Sequence, residues 1–424
     1  MTDIQKFLSG HALLANDIDA DALVAEFLTE MKMGLSGQAS SLAMIPTYIS
    51  VDREIPIKEP VIVVDAGGTN LRVALISFDI ENRACIDNYV SYSMPGSQSE
   101  VSAKEFFAQL AEHIKPMVSR SNRIGFCFSY PAEISPEMDG KLLKWTKEMK
   151  APEVIGRFIG KGLIDALGTA GIGKKVVLLN DTVATLLAGK SSGRDSYGSY
   201  VGFILGTGTN IAYLEKNKNI LKVGHTDLPG SQAINVESGA FRKAPRGDFD
   251  ILLDQESEDT GGNQFEKMIS GRYLPKIALM ALQKGAQEGL FDKFCGLWIQ
   301  SLKQLGHDEM DDLFHNGGAS ILKSVNLSES DRDRIRAIVS AVIERAAKFA
   351  AINVTAAVVK AVGGSIDRPV CINIDGTTYY KVAGLRERIE KYLREMLGGR
   401  NIEYVLTHVE RAPMIGAAVA GLVN

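Results

Sequence analysis

The fold of this chain is decided by the stretch Val61-Ile-Val-Val-Asp65-Ala-Gly67-Gly68-Thr69-Asn70-Leu-Arg72-Val-Ala-Leu75. Apolar β-formers on both sides of a Gly-Gly pair predict two strands joined by a tight turn. The glycines let the backbone bend and come close to a large ligand. The N–H groups of the turn, with the polar side chains beside it, are donors that suit phosphate oxygens. The stretch therefore predicts a site for a polyanion, with Asp65 placed to hold a hydrated Mg²⁺.

A second stretch repeats this design, Tyr200-Val-Gly-Phe-Ile-Leu-Gly206-Thr207-Gly208-Thr209-Asn210-Ile-Ala-Tyr-Leu-Glu215. One glycine-rich hairpin is weak evidence, because hairpins need glycine for their turns in any case. Two such hairpins, each with apolar strands on both sides and threonine at the tip, are stronger evidence. They indicate a duplicated architecture with a nucleotide held between the halves.

Composition narrows the class of protein. The chain has 424 residues, of which 45% are hydrophobic and 23% charged, so we expect a globular protein with two domains. A net charge of −4 gives no reason to expect a nucleic-acid or membrane partner. The four cysteines lie far apart and form no C-x-x-C pair, which argues against a disulfide framework and a zinc site. Since we find no signal peptide and no apolar run of membrane-spanning length, we expect a cytoplasmic location.

The order of predicted elements indicates the α/β class, because strands alternate with helices along the chain. Apolar residues at helical spacing predict a helix over 19–35, and the pattern from 265 to 360 is largely helical. We expect a third hairpin turned at Asp375-Gly376, and a final helix that starts near Ala412.

Three motifs are better explained as ordinary structure. The stretch Gly168–Lys175 is nearly a P-loop, but it lacks the Ser/Thr and precedes a strand instead of following one. The Gly206–Gly208 turn lacks the third glycine of a dinucleotide fingerprint and enters a strand, which makes a nicotinamide dehydrogenase a distant alternative. We interpret His307–His315 as an acidic, solvated helix start, not as a metal cluster.

The pair Asn180-Asp181 is a candidate catalytic site. It lies where a buried strand is predicted to meet a helix, so the carboxylate is well positioned, although Asp181 could equally be a simple helix cap. Further polar residues near predicted strand ends or turns favour a functional role; they are Thr146, Lys147, Asn210, Glu237 and Glu266. Carboxylates and amides in a cleft suit sugars, since each can bond two vicinal hydroxyls.

Together these segments resemble the hexokinase family, as a single catalytic unit. The matching segments occur in family order and are Asp65–Arg72, Ser129–Pro131, Trp145–Lys147, Leu179–Ala188, Gly206–Asn210, Ile234–Phe241, Phe265–Gly271 and Asn373–Tyr379. The resemblance implies the actin-like ATPase (ribonuclease H-like) fold, with two α/β domains that flank a cleft. We place the small domain at 61–181 plus 411–424, and the large domain at 1–55 plus 190–410.

The resemblance also implies roles for individual residues. Asp181 would be the general base, and Lys147 would meet the transferred phosphoryl group and the sugar. The sugar would be held by Ser129, Pro131, Thr146, Lys147, Asn180, Asp181, Asn210, Glu237 and Glu266. ATP would be held by Asp65, Gly67, Gly68, Thr69, Asn70, Arg72, Thr207, Gly208, Thr209, Gly376 and Thr377, with Asp65 also serving Mg²⁺.

The implied activity is ATP-dependent phosphorylation of a hexose at its 6-hydroxyl. The expected substrate is D-glucose, with fructose and mannose as alternatives. Two other classes of protein stay open: a sugar-responsive regulator with a kinase fold, and an actin-like ATPase that hydrolyses ATP without sugar. The sequence leaves the oligomeric state open.

Overall fold

The computed structural model describes residues 2–146, 149–193, 196–224, 229–315, 325, 327–363 and 367–424. The strands in chain order are β1 (Ile45–Pro46), β2 (Val61–Gly67), β3 (Asn70–Phe78), β4 (Ala84–Ser93), β5 (Arg123–Phe128), β6 (Ala132–Ile134), β7 (Gly140–Leu142), β8 (Lys175–Leu179), β9 (Ser199–Leu205), β10 (Thr209–Lys216), β11 (Ser231–Asn235), β12 (Val370–Asp375) and β13 (Tyr404–Thr407).

The described helices lie before, between and after these strands. They are α1 (Asp3–Gly10), α2 (Ala20–Leu35), α3 (Ala103–Ile114), α4 (Ile159–Leu167), α5 (Asp181–Ser191), α6 (Asp248–Gln255), α7 (Gln264–Ile269), α8 (Leu274–Gln287), α9 (Lys293–Ser301), α10 (His307–His315), α11 (Glu329–Val362), α12 (Thr377–Lys381), α13 (Leu385–Gly398) and α14 (Ala412–Val423).

Two large sheets organise the described residues. The first has the order β4-β3-β2-β5-β8, and the second has the order β1-β11-β10-β9-β12-β13. Each sheet carries one of the predicted glycine-rich hairpins: β2 pairs antiparallel with β3, and β9 with β10. Each also contains parallel pairs, β2 with β5 and β5 with β8 in the first, and β9 with β12 and β12 with β13 in the second. The two sheets are therefore built on the same plan, as the repeated sequence pattern predicts.

Two helices fill the space between the sheets. Helix α5 packs on β9 and β12 of the second sheet, α14 packs on β2, β5 and β8 of the first, and the two helices pack on each other. Both helices are buried almost throughout, with α5 buried from Thr182 to Gly189. The other faces of the two sheets are covered by further helices, among them α3 on the first and α11 on the second. The two glycine-rich hairpins therefore belong to sheets that pack against the same central pair of helices.

The local sequence explains where several helices begin and end. Thr2, Asp19, Ser102 and Ser328 each accept a hydrogen bond from the third residue of the helix that follows, which satisfies a free N–H group. Helix α3 ends at Ile114, and the chain continues as a 3₁₀ helix at Lys115–Arg120. Pro116 lacks the backbone N–H that the next α-helical turn would need.

The predicted third hairpin is wrong. Strand β12 is followed at Gly376 by helix α12, not by a returning strand. Both edges of β12 are already paired, to β9 on one side and to β13 on the other, so no edge is left for an antiparallel partner. The predictions of a helix over 19–35, of a largely helical 265–360 and of a final helix from Ala412 are confirmed in the described residues.

The two sheets draw on separate parts of the chain. The first sheet comes from residues 61–179 and the second from 45–46, 199–235 and 370–407, while α14 returns to the first sheet. The exact domain boundaries given above stay a prediction. Within the described residues, every helix is too short or too polar to cross a lipid bilayer.

Candidate active site

A tyrosine side chain supports the first glycine-rich turn through a hydrogen bond to its backbone. Gly67 pairs with Asn70 across the turn, and Gly68 has a left-handed backbone with φ 65° that favours glycine. The hydroxyl of Tyr130 donates a 2.6 Å hydrogen bond to the carbonyl oxygen of Gly68. Burial raises the pKa of Tyr130 to about 12, so this hydroxyl stays a donor. Thr69 and Asn70 at the tip are exposed, and are thus accessible to a ligand.

Asp65 is buried and ion-paired. Arg72 Nη1 lies 2.8 Å from Asp65 Oδ2, and the two residues face each other across the β2–β3 ladder. Burial raises the pKa of Asp65, the hydrogen bond and charge of Arg72 oppose this rise, and the negative charge of Asp181 adds to it. The two carboxylates therefore lie near enough to interact electrostatically, although they come from β2 and from α5.

Asn180, not Asp181, caps helix α5. The Oδ1 atom of Asn180 accepts a 2.8 Å hydrogen bond from the backbone N–H of Thr182. Asp181 is the first residue of the helix, and its Oδ1 accepts a 3.2 Å hydrogen bond from the Thr182 hydroxyl. The N-cap of α5 is therefore Asn180, and the explanation of Asp181 as the helix cap is wrong.

The second glycine-rich turn is supported by two neighbouring segments. The carbonyl oxygen of Gly206 accepts hydrogen bonds from the N–H of Gly271 (2.9 Å) and from the hydroxyl of Thr378 (2.8 Å). Gly376 lies directly against β9: a Cβ atom there would be 2.4 Å from the carbonyl carbon of Leu205. Among the residues predicted to hold ATP, Thr207 and Thr377 are exposed beside this turn.

Thr209 was also predicted to hold ATP, but unlike Thr207 and Thr377 it is not exposed. Its N–H donates to Glu266 Oε2 at 2.9 Å, and its hydroxyl donates to the carbonyl oxygen of Ile204 at 2.9 Å. Both donors are thus engaged inside the protein, and Thr209 orients Glu266.

A carboxylate–amide cluster follows the second hairpin. Glu237 Oε1 accepts hydrogen bonds from Asn235 Nδ2 (2.7 Å) and from Asn210 Nδ2 (3.2 Å), and Asn210 also donates to Asn235 Oδ1 at 2.8 Å. Glu237 has a left-handed backbone with φ 58°, a conformation that costs energy for a residue other than glycine. Asn235 was missed by the sequence prediction, although it lies inside the matched segment Ile234–Phe241, two residues before Glu237.

The acidic residues of the site raise one another's pKa. Burial raises the pKa of Glu237, and the charge of Asp181 adds to the rise, while the hydrogen bonds from Asn235 and Asn210 oppose it. Burial also raises the pKa of Glu266, opposed by the Thr209 N–H and supported by the charge of Glu237. The charges of the four carboxylates therefore act on one another in pairs, Asp181 on Asp65 and on Glu237, and Glu237 on Glu266.

Other predicted residues lie at the edge of this site. Ser129 follows β5, and its N–H donates to the carbonyl oxygen of Ala66 at 3.1 Å, so the Ser129–Pro131 segment lies beside the first turn. Thr146 is partly buried next to Trp145, which packs edge-on against Tyr130 and donates to the Ala151 carbonyl oxygen. Lys147 lies outside the described residues.

Two further residues near the site were missed or interpreted differently. Cys127 is fully buried with its thiol in hydrogen-bond contact with Asp65 and Ser129, and burial raises its pKa well above the usual value. His307, interpreted from sequence as part of a solvated helix start, is exposed as expected but lies close to the second turn: its Cε1 would be 3.3 Å from a Cβ atom at Gly271.

Within the described part of the chain, no group of three or more His, Cys, Asp or Glu side chains is placed to hold a metal ion. Asp65 and Asp181 supply two neighbouring carboxylates. That donor set fits Mg²⁺ that arrives with a polyphosphate, since Mg²⁺ commonly keeps waters and binds through one or two carboxylates plus phosphate oxygens.

Two sheets of common plan, each with a glycine-rich hairpin and with α5 and α14 packed between them, define the actin-like ATPase fold. Comparison with solved structures agrees. A crystal structure of a hexokinase aligns over 98% of both chains with a TM-score of 0.81 and 23% identity. A hexokinase from Schistosoma mansoni, solved in complex with glucose, aligns over 99% of this chain and 98% of its own with a TM-score of 0.76 and 23% identity.

Sequence comparison identifies the family. Two family models, both described as hexokinase, match residues 4–191 and 200–423. Hexokinase-1 from Spinacia oleracea is 31% identical over 93% of this chain and 86% of its own length. Hexokinase-2 from Candida albicans is 29% identical over 88% of this chain and 82% of its own length. The chain belongs to the hexokinase family of enzymes.

Proposed function

We propose that this protein transfers the terminal phosphoryl group of ATP to the 6-hydroxyl of a hexose, with D-glucose as the first candidate and Asp181 as the general base. The observation that carries the proposal is the position of Asp181. The charge of its carboxylate raises the pKa of Asp65, beside the turn suited to phosphate, and the pKa of Glu237, in the cluster suited to hydroxyls, so Asp181 is near enough to both to interact with them.

The sugar side of the cleft supports a polyhydroxylated substrate. Glu237, Asn210 and Asn235 already orient one another through hydrogen bonds, so their remaining polar atoms are preorganised. Glu266 is fixed in the same way by the Thr209 N–H. Carboxylates that accept and amides that both accept and donate match the mixed character of sugar hydroxyls.

Phosphoryl transfer asks the protein mainly for positioning and for stabilisation of charge. In this proposal Asp181 orients the 6-hydroxyl in line with the terminal phosphorus and accepts its proton as the new bond forms. Such general-base assistance typically contributes about 10²–10⁴ in rate. The N–H groups of the two glycine-rich turns, with Lys147, stabilise the negative charge on the transferred group.

Asp65 and Asp181 would hold Mg²⁺ through its bound waters. When bound with ATP, the ion would supply neutralisation of the phosphate charge. Arg72 keeps Asp65 oriented through the 2.8 Å ion pair, which leaves the carboxylate ready for this role.

Water is the competing nucleophile for ATP. Approach of the two sheets around the sugar would exclude it, and would use sugar-binding energy to complete the site. The proposed hinges are the segments Arg53–Lys58, Leu187–Arg194 and Arg411–Pro413; of these, Leu187–Ser191 is the last part of α5, and Ala412 begins α14. Lys190 donates to the carbonyl oxygens of Val51 and Arg53, so the end of α5 is joined to the first of these segments.

The deciding experiment measures ADP release from Mg·ATP with and without glucose, then with fructose and mannose. We expect release that requires hexose and is nearly abolished in Asp181→Ala, while sugar binding stays measurable. The matched control is Asp165→Ala, which removes an exposed carboxylate paired only with Lys161 among the described residues, and should leave turnover unchanged. Sugar-independent release would indicate an ATPase instead. Sugar binding without any release would indicate a regulator.

A further inference from the structure

Two arginine side chains meet at one tyrosine beside the first glycine-rich turn. The Cζ atom of Arg411 lies 4.7 Å from the ring centroid of Tyr89. Arg72, which is paired with Asp65, interacts with the phenol of the same tyrosine, and this interaction helps to raise the pKa of Arg72. The contact joins β4 of the first sheet to the segment between β13 of the second sheet and α14.

A β-bulge aims Tyr89 at these arginines. In the β3–β4 ladder, Val73 pairs with Val90 and Leu75 pairs with Asp87, so two residues of β4 lie opposite Ala74 alone. The bulged pair is Asn88-Tyr89, and Asn88 has a left-handed φ of 51°. Bulges of this kind bend a strand and redirect a side chain, and they are common beside active sites.

The other side of the contact is also held in an unusual backbone conformation. Arg411 has φ 56°, immediately before the first residue of α14. A left-handed backbone is costly for a residue with a long side chain, and it persists where surrounding structure imposes it. Two left-handed residues that are not glycine thus hold Tyr89 and Arg411 in place, one on each side.

The balance of charge at this contact is positive. The charge of Arg72 is offset by Asp65, its ion-pair partner. Among the residues that the structure describes, no carboxylate lies within ion-pair distance of Arg411, whose side chain is exposed. A guanidinium offers a planar set of donors that matches phosphate oxygens. The site therefore has one uncompensated positive charge, next to a second guanidinium and to the turn N–H groups.

We propose that Arg411 and Arg72 form a subsite for a phosphate oxyanion, with Tyr89 as the platform that positions Arg411. The inference rests on the proposed function, because that function makes the neighbouring turn the phosphate side of the cleft. The phosphate could belong to the nucleotide, to the hexose 6-phosphate product or to free inorganic phosphate. All three present the same oxygens to the guanidinium groups.

The test compares binding by titration calorimetry of ATP, glucose 6-phosphate and inorganic phosphate, with adenosine as a ligand without phosphate. Arg411→Asn removes the charge and keeps a side chain that tolerates the left-handed backbone. Arg411→Gly removes the charge and relieves the backbone, so the test survives if one variant folds poorly. Arg411→Lys retains the charge. The control is Arg336→Asn, which removes one arginine from the surface of α11, where it pairs with Asp333.

We expect Arg411→Asn and Arg411→Gly to weaken at least one phosphate ligand by about 10-fold or more, the effect of one charge-assisted hydrogen bond. Adenosine binding should not change, and Arg411→Lys should lose less than the uncharged variants. The ligand with the largest loss identifies the source of the phosphate. Equal binding of all three ligands by wild type and Arg411→Asn would overturn the subsite and leave Tyr89–Arg411 as a structural contact. A wild type that binds none of them would overturn it as well.

These titrations need no turnover. A protein that shows no hexose-dependent ADP release, yet loses phosphate affinity in Arg411→Asn, would refute the proposed function and support the subsite. Normal hexose-dependent turnover, with a phosphate affinity that Arg411→Asn leaves unchanged, would support the proposed function and refute the subsite.

Discussion

Gly416 lies directly against the carbonyl oxygen of Ala184, so that a Cβ atom at Gly416 would be only 1.8 Å from it. The two residues belong to α14 and α5, the helices between the sheets. Gly125 of β5 makes a similar approach to Ala417, where a Cβ atom would lie 1.9 Å from the carbonyl oxygen. Backbone therefore packs on backbone through the central layer, and the start of α5, with Asp181, is fixed relative to both sheets.

Gly416→Ala should destabilise the protein. The added methyl group forces α5 and α14 apart, and overpacking of a dense core typically costs about 1–3 kcal/mol. Urea unfolding should show the loss as a lower midpoint. Gly398→Ala is the control, because it lies in α13 with nothing within 4 Å of the added atom. Alanine is the better helix former, so this control should be neutral or slightly stabilising; equal losses in both variants would contradict the argument.

Tyr130→Phe should weaken nucleotide binding more than sugar binding. The substitution removes the 2.6 Å hydrogen bond to Gly68 and leaves the first turn less ordered. A neutral hydrogen bond contributes about 0.5–1.5 kcal/mol, so the KM for ATP should rise by about 2–10-fold. Steady-state kinetics with each substrate varied in turn would show it. Tyr392→Phe, which removes a hydroxyl bonded to Glu344 instead, should leave both KM values unchanged. A larger change for glucose than for ATP would count against the assignment of the turn.

Glu237→Gln should raise stability and lower sugar affinity. The folded state raises the pKa of Glu237, so between its ordinary pKa and the raised value the folded protein binds more protons than the unfolded chain. The stability of the wild type must then fall as the pH rises through that window, because the ionised carboxylate is buried. Glutamine carries no charge, and its oxygen can still accept from Asn210 and Asn235.

Urea unfolding should therefore favour Glu237→Gln above the raised pKa, and the advantage should disappear as the pH falls to the ordinary range of glutamate. The KM for glucose should rise by about 10-fold or more, since a charged hydrogen-bond acceptor is lost. A variant that is less stable than wild type at neutral pH would show that burial does not penalise this carboxylate.

Asn235→Ala should shift the acid limb of the pH–rate profile upward. Asn235 donates a 2.7 Å hydrogen bond to Glu237, and this bond opposes the rise of the Glu237 pKa. Without it the carboxylate takes up a proton at higher pH, and sugar binding is lost earlier as the pH falls. The control is Asn219→Ala, which removes the same kind of bond from Glu215, outside the cleft. Identical profiles for wild type and Asn235→Ala would contradict this role.

The sequence predicted the α/β class and both glycine-rich hairpins, because these features are local. A turn between apolar strands needs glycine where the backbone is left-handed, as at Gly68, and this need is visible in one short stretch. The third hairpin failed for a complementary reason. Asp375-Gly376 has the composition of a hairpin turn, but both edges of β12 are paired with strands from distant parts of the chain. The sequence around Asp375-Gly376 contains no sign of this pairing.

The sequence by itself also determined the types of chemistry present: Asp181 at a strand end, Glu237 and Glu266 in polar segments, and donors at Gly67–Arg72. Only the tertiary structure decided which of them act together. It brought Asp65 and Asp181 into electrostatic contact, turned Thr209 inward to hold Glu266, added Asn235 to the sugar cluster and set Arg411 against Tyr89. The physical reason is the separation along the chain of the residues that interact. Strand and turn preferences are set by neighbours in the chain, whereas burial, pairing of charges and pKa shifts depend on atoms that only the packing of two sheets around α5 and α14 brings close.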